Sequence, residues 1–217
     1  MKYKALIFII FFVAAFLLDK ITVAAYFPLI GKTIVVDVGH GAEDPGTVSG
    51  KTYEKDINLA IAKYLEDELS KAGATVILTR DGDYDLSSPN VAARKKSDFD
   101  NRIKLINNSN ADMYVSIHLN YLSQKQYSGG QIFYNDKNKK NKIIAAAIQE
   151  AFNIELKSMR EIKKIPSDLY MYERLDISGV LVECGFMSNY GELKKLKTAE
   201  YQRTIAKVIV SGIIKAL

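Results

Sequence analysis

Three short apolar runs, each closed by a residue with chemistry of its own, constrain this chain more than any other feature. Val35-Val36-Asp37-Val38 runs into Gly39-His40-Gly41. Met113-Tyr114-Val115-Ser116-Ile117 ends at His118, and Gly179-Val180-Leu181-Val182 ends at Glu183. Runs this short and this apolar read as strands buried on both faces, the habit of parallel sheets. Residues just past the carboxyl ends of parallel strands converge on one edge of the sheet. His40, His118 and Glu183 are therefore expected to meet there, joined by Glu54 at the start of the helix that follows the first strand.

Helical periodicity fills the gaps between these runs. From Tyr53 to Ala72, Ile57, Ile61, Leu65 and Leu69 recur at helical spacing, and Gly73 stands where a left-handed cap is expected. Ala74–Thr79 reads as a strand and Asp81–Lys96 as a polar loop. Asp98–Asn108 reads as a short helix, Gly130–Tyr134 as a strand, and Asn138–Leu156 as a long helix. Lys157–Ser178 reads as irregular, with one short strand near Leu169–Tyr172. Glu192–Lys197 and Glu200–Ala216 close the chain as helices. The alternation predicts an α/β fold: a twisted, mostly parallel sheet of about six strands with helices on both faces.

Of the 217 residues 48% are hydrophobic, enough for a full core and too apolar for a disordered chain. The net charge of +5 suits a solvated lysine surface, or attraction to an anionic membrane or wall. Nucleic acid is not expected, because no basic run is interleaved with stacking aromatics. With one cysteine, Cys184, an internal disulfide and a cysteine zinc finger are both excluded. Lys2 and Lys4 precede an apolar core from Ala5 to Leu18, short for a membrane span but the size of a signal-peptide core. Residues 1–27 are thus expected to be either a cleaved signal peptide, with Val23-Ala24-Ala25 near its cleavage site, or an uncleaved signal anchor. Residues 28–32 read as a linker and 33–217 as one catalytic domain. The domain is expected outside the cytoplasm, on the outer face of the membrane or in the wall, touching membrane through the segment if it stays.

A catalytic zinc commonly takes two histidines and a glutamate and leaves one position open. A further carboxylate can then move protons. That division of labour fits His40, Glu54 and His118 as ligands and Glu183 as acid/base, for amide hydrolysis by water. Each residue also has a plainer role. A histidine in a glycine loop can simply turn the chain, an acid at a helix start is favoured by the dipole, and a histidine at a strand end can be a core residue. Glu183 is different, because a carboxylate on an apolar strand is costly to bury unless it is paired or ligated. The spacing by itself is far from a His-Glu-x-x-His helix and does not single out zinc.

With these residues in place, the sequence resembles the zinc-dependent N-acetylmuramoyl-L-alanine amidases of bacterial cell walls. The resemblance is carried by Val36-Asp37-Val38-Gly39-His40-Gly41, Tyr53-Glu54-Lys55, Leu78-Thr79-Arg80, Asn110 to Asn120, and Val182-Glu183-Cys184-Gly185-Phe186-Met187-Ser188-Asn189, in that order. It implies one Zn2+ per chain on His40, Glu54 and His118, with Glu183 as the catalytic glutamate. The implied substrate is peptidoglycan, cut between the lactyl group of muramic acid and L-alanine. Val38 replaces the usual proline and Ala42 a frequent second glycine, which bears on the rigidity of the loop. The compact size, the apolar start and Arg160–Tyr170 are most similar to spore-cortex amidases, which strip peptides so that muramic-δ-lactam can form. An accessory activator protein is an expected partner. A zinc peptidase cutting within stem peptides, a vegetative wall amidase and a metal-free wall-binding module are the alternatives.

Overall fold

The computed structural model describes residues 26–217. All but the last two residues of the segment read as signal peptide or anchor (1–27) lie outside that range. The sheet contains β1 (Thr33–Val38), β4 (Thr75–Leu78), β5 (Met113–Asn120), β6 (Gln131–Tyr134), β7 (Lys163–Lys164) and β8 (Gly179–Phe186). Their order is β4-β1-β5-β8-β6-β7. Neighbours from β4 through β8 run parallel, β6 is antiparallel to β8, and β7 is parallel to β6. A separate hairpin, β2 (Val48–Ser49) with β3 (Thr52–Tyr53), delivers the chain to the first helix. The helices are α1 (Glu54–Lys71), α2 (Arg94–Asn107), α3 (Lys139–Glu155), α4 (Tyr190–Leu196) and α5 (Ala199–Ala216).

Strand side chains alternate in direction, so each apolar run feeds two cores at once. Ile34, Val36, Val115, Val180 and Val182 face the layer of α1, α5 and α3, where Ile61, Leu65, Phe152, Ile205 and Ile209 are fully buried. Val35, Tyr114 and Leu181 face the other way, onto Ile106 of α2 and onto Met171, Tyr172 and Leu175. Burying a side chain of this kind stabilises by about 1.5–3 kcal/mol, so interrupting either set with a charge would be severe. At the helix layer α5 meets α3 at Gly212, where a Cβ would lie 2.5 Å from the Ile148 Cα. Only glycine permits that approach.

The structure departs from the sequence reading in three places. The strand expected near Leu169–Tyr172 is absent; the sixth strand is Lys163–Lys164, and Tyr172–Arg174 is a turn of 3-10 helix. The reason is that β7 is an exposed edge with no apolar face to betray it, whereas Met171 and Tyr172 bury themselves singly beneath the sheet. Helix α2 begins at Arg94, four residues before the expected start at Asp98, in a polar turn with no side-chain cap. The stretch 28–32 is tied to the domain: Leu29 is buried in the core and its N–H donates to Ala72 O at 2.9 Å. Gly73 does take the left-handed conformation, at φ +95°.

Candidate functional site

The carboxyl ends of β1, β5 and β8 and the amino end of α1 meet as the periodicity predicts. His40 leaves β1 at φ +62°, a left-handed conformation unusual without glycine. Two buried arginines grip the main chain there. Arg80 donates through Nε to Val38 O at 3.2 Å and through Nη2 to Gly39 O at 3.0 Å. Arg102 donates through Nη1 to Val38 O at 2.6 Å and through Nη2 to His40 O at 2.8 Å. Two carboxylates hold Arg102 in turn: Asp37 Oδ1 at 2.8 Å, and Asp98, bound through Nε at 2.9 and 3.0 Å. Burial pushes the Asp37 carboxyl up, but the Arg102 charge and the Ser116 hydrogen bond outweigh it and hold it below its ordinary range.

His40, Glu54 and His118 offer donor atoms that all lie within 4.8 Å of one another. Glu54 Oε1 is the hinge, 3.2 Å from His40 Nε2 and 3.1 Å from His118 Nδ1. Its position is not free, since Oε1 also accepts from Leu119 N–H at 3.1 Å and Oε2 from Thr47 N–H at 2.8 Å. Burial would raise its pKa, yet hydrogen bonds and charge from the two histidines pull it far below the carboxylate range. His40 Nδ1 meets Asp44 Oδ2 at 3.0 Å, which orients the ring and turns Nε2 toward Glu54. Burial lowers the His40 pKa, but Asp44 and Glu54 overcome it and set it at about 9.

Glu183 stands apart from this trio. Its carboxylate Oε2 is shielded from solvent and has no hydrogen-bond partner. Burial, with the negative charge of Glu54 adding and His40 opposing, pushes it up to about 8. It lines a cavity of about 240 Å³ together with His40, His118, Phe99, Leu169 and Tyr170. The donor set of two imidazoles and a carboxylate is that of a three-ligand zinc site, and a lone basic carboxylate beside it suits proton transfer.

All four residues singled out in the sequence are thus in one place. Asp37, Asp44, Asp98, Arg80 and Arg102 were not expected to support them. Asp37 carried the same signal as Glu183, a carboxylate within an apolar strand. Arg102 lies in a helix whose polar sequence reads as solvated, and nothing local marks it as buried. Ala42 takes φ +50°, in the left-handed region that favours glycine. Its loop is held nonetheless, by Asp83 Oδ1 accepting from Ala42 N–H at 2.9 Å and by Lys55 Nζ donating to Ala42 O at 2.8 Å.

Residues 34–215 match the N-acetylmuramoyl-L-alanine amidase family (Amidase_3), and the chain belongs to it. As a member it is an enzyme, hydrolysing the bond between muramic acid and L-alanine in peptidoglycan. Among particular relatives, the germination-specific N-acetylmuramoyl-L-alanine amidase of Bacillus subtilis (strain 168) is 39% identical over 191 residues, 87% of this chain and 81% of that protein. The CwlD amidase from Clostridioides difficile, solved in complex with the GerS lipoprotein, superimposes with a TM-score of 0.81 at 40% identity, covering 86% of this chain and 98% of that one. An N-acetylmuramoyl-L-alanine amidase from Clostridium difficile 630 gives a TM-score of 0.74 at 31% identity, covering 85% and 95%.

Proposed function

We propose that this amidase works with one zinc ion held by His40, Glu54 and His118, and that Glu183 moves the protons. The observation that carries this reading is the convergence of three donor side chains beside a carboxylate whose Oε2 has no other partner. Zinc in that position supplies a Lewis acid for the amide carbonyl and acidifies water at the site. Glu183 takes the proton of the attacking water and returns it to the departing alanine nitrogen; a group with its pKa raised by burial suits both transfers. Asp44 keeps His40 in the required tautomer, and Arg102 with Arg80 holds the loop that carries it. Phe99, Leu169 and Tyr170 wall the cavity.

The biological setting proposed is removal of stem peptides during spore-cortex maturation, so that muramic-δ-lactam can form. Support comes from the germination-specific relative. The domain acts outside the cytoplasm after export through residues 1–27. An accessory protein is proposed to assist it, as the complex of the CwlD relative with a lipoprotein suggests.

The test is a digest of purified peptidoglycan with zinc or with chelator, read by mass spectrometry. Zinc-dependent release of intact stem peptides beginning with L-alanine is expected. Cleavage inside the stem peptide would replace this reading with a peptidase. Undiminished release from protein shown by elemental analysis to be metal-free would remove zinc from the mechanism.

A further inference from the structure

The edge of the domain opposite the candidate site carries none of the residues assigned to hydrolysis, and several unusual features gather there. Strands β1, β5 and β8 begin at this edge, because their carboxyl ends carry the site. The antiparallel β6 ends at it, and α3 starts there, directly after Asn138. The chain also enters the domain at this edge, through Tyr26 to Lys32, ahead of β1. Residues 1–25 therefore join the domain on the side away from the cavity.

The first turn of α3 holds Lys139, Lys140 and Lys142, all exposed, and no acid. Positive charge is disfavoured at a helix amino terminus, so three lysines there oppose the dipole. Among the described residues none of the three is paired with a carboxylate. Their neighbours Lys137 and Lys164 are already matched to Glu173 and Asp136. Large apolar side chains are exposed along the same edge: Ile143 at 59%, Ile30 at 57% and Tyr26 at 75%. Ile143 lines a surface groove with Lys139, Lys142 and Lys164.

Exposed apolar groups beside uncompensated lysines suit a bilayer interface, where apolar groups enter the headgroup boundary and lysines meet anionic headgroups. The apolar run Ala5–Leu18 lies in the part of the chain that reaches the domain at this edge. We propose that this edge docks on an anionic phospholipid surface and holds the catalytic cavity turned away from the membrane, toward peptidoglycan. The proposal rests on the export reading above and adds contact by the folded domain itself.

The test places the full-length protein in vesicles of phosphatidylcholine alone or with phosphatidylglycerol. A fluorophore is attached at Ala146→Cys, exposed in the same groove, or at Tyr190→Cys, the latter in α4 at the catalytic end of β8. Cys184 is buried and silent to labelling. A bilayer-resident quencher is expected to reach the label at position 146 in anionic vesicles only, and the label at 190 in neither. Each lysine near an anionic surface strengthens binding about fivefold. Lys139→Glu, Lys140→Glu and Lys142→Glu together should weaken docking by at least about a hundredfold, with hydrolysis of soluble muropeptides unchanged. Equal quenching at both positions, or no dependence on anionic lipid, overturns the proposal. Peptide release on the same samples tests the amidase reading separately, so either can fail alone.

Discussion

Replacing Arg102 with methionine isolates the support beneath the site. The guanidinium is 2% exposed and Asp37 beside it 1%. Removing one member of a buried ion pair costs about 3–5 kcal/mol, mostly because the other charge is left uncompensated. Against a typical total of about 5–15 kcal/mol, Arg102→Met should remain folded but marginal. With a urea dependence of up to about 3 kcal/mol per molar, its midpoint should fall by at least about 1 M. The penalty should also depend on pH, in a direction that follows from Asp37. In the parent protein its pKa is depressed, so its contribution is present above the unfolded value near 3.9 and is lost only as pH falls through the lower folded value. In the variant, burial without Arg102 raises the folded pKa above that of the unfolded chain. The penalty is then full at neutral pH and is relieved as acid protonates the carboxyl. Urea melts of metal-free protein at pH 7 and pH 4.5 should show the gap between parent and variant narrowing. Adding Asp37→Asn should recover part of the loss, with a coupling of about 0.5–3 kcal/mol. A cost below about 1 kcal/mol, or one equal at the two pH values, would refute this account of Arg102.

Glu183→Gln should keep stoichiometric zinc by elemental analysis while peptide release falls by about a hundredfold to ten-thousandfold; full activity would remove Glu183 from proton transfer. Gly39→Ala should weaken zinc binding by at least about tenfold, because the added Cβ would lie 2.4 Å from His118 Cε1 and displace the ring. A competition titration against a chromogenic chelator reads this, and unchanged affinity counts against His118 as a ligand. With its pKa raised to about 9, His40 is largely protonated in the metal-free chain at pH 7.5 and neutral at pH 10, so its share of the protons released on binding zinc should be present at pH 7.5 and gone at pH 10. Calorimetry in two buffers measures that proton. The same shift predicts that chelated protein loses stability as pH rises from about 6.5 through 9.

Periodicity alone was enough to give the α/β class, the positions of α1, α3 and α5, and the meeting of His40, His118 and Glu183. A buried parallel sheet must spend apolar runs on its strands, and its topology brings their carboxyl ends together whatever the loops do. Glu54 was placed because a helix start returns the chain to that same edge. The edge strand Lys163–Lys164 left no such trace, since its pairing is made by main-chain atoms on an exposed border. Arg102 was equally hidden. Its burial comes from Asp37, 65 residues away, and Asp98, four residues away, closing around it in space. The sequence by itself determined which candidate residues meet at one edge, because they close apolar runs whose carboxyl ends a parallel sheet brings together. Only the tertiary structure decided how those groups are held, because buried charges and backbone carbonyls find partners that no local pattern encodes.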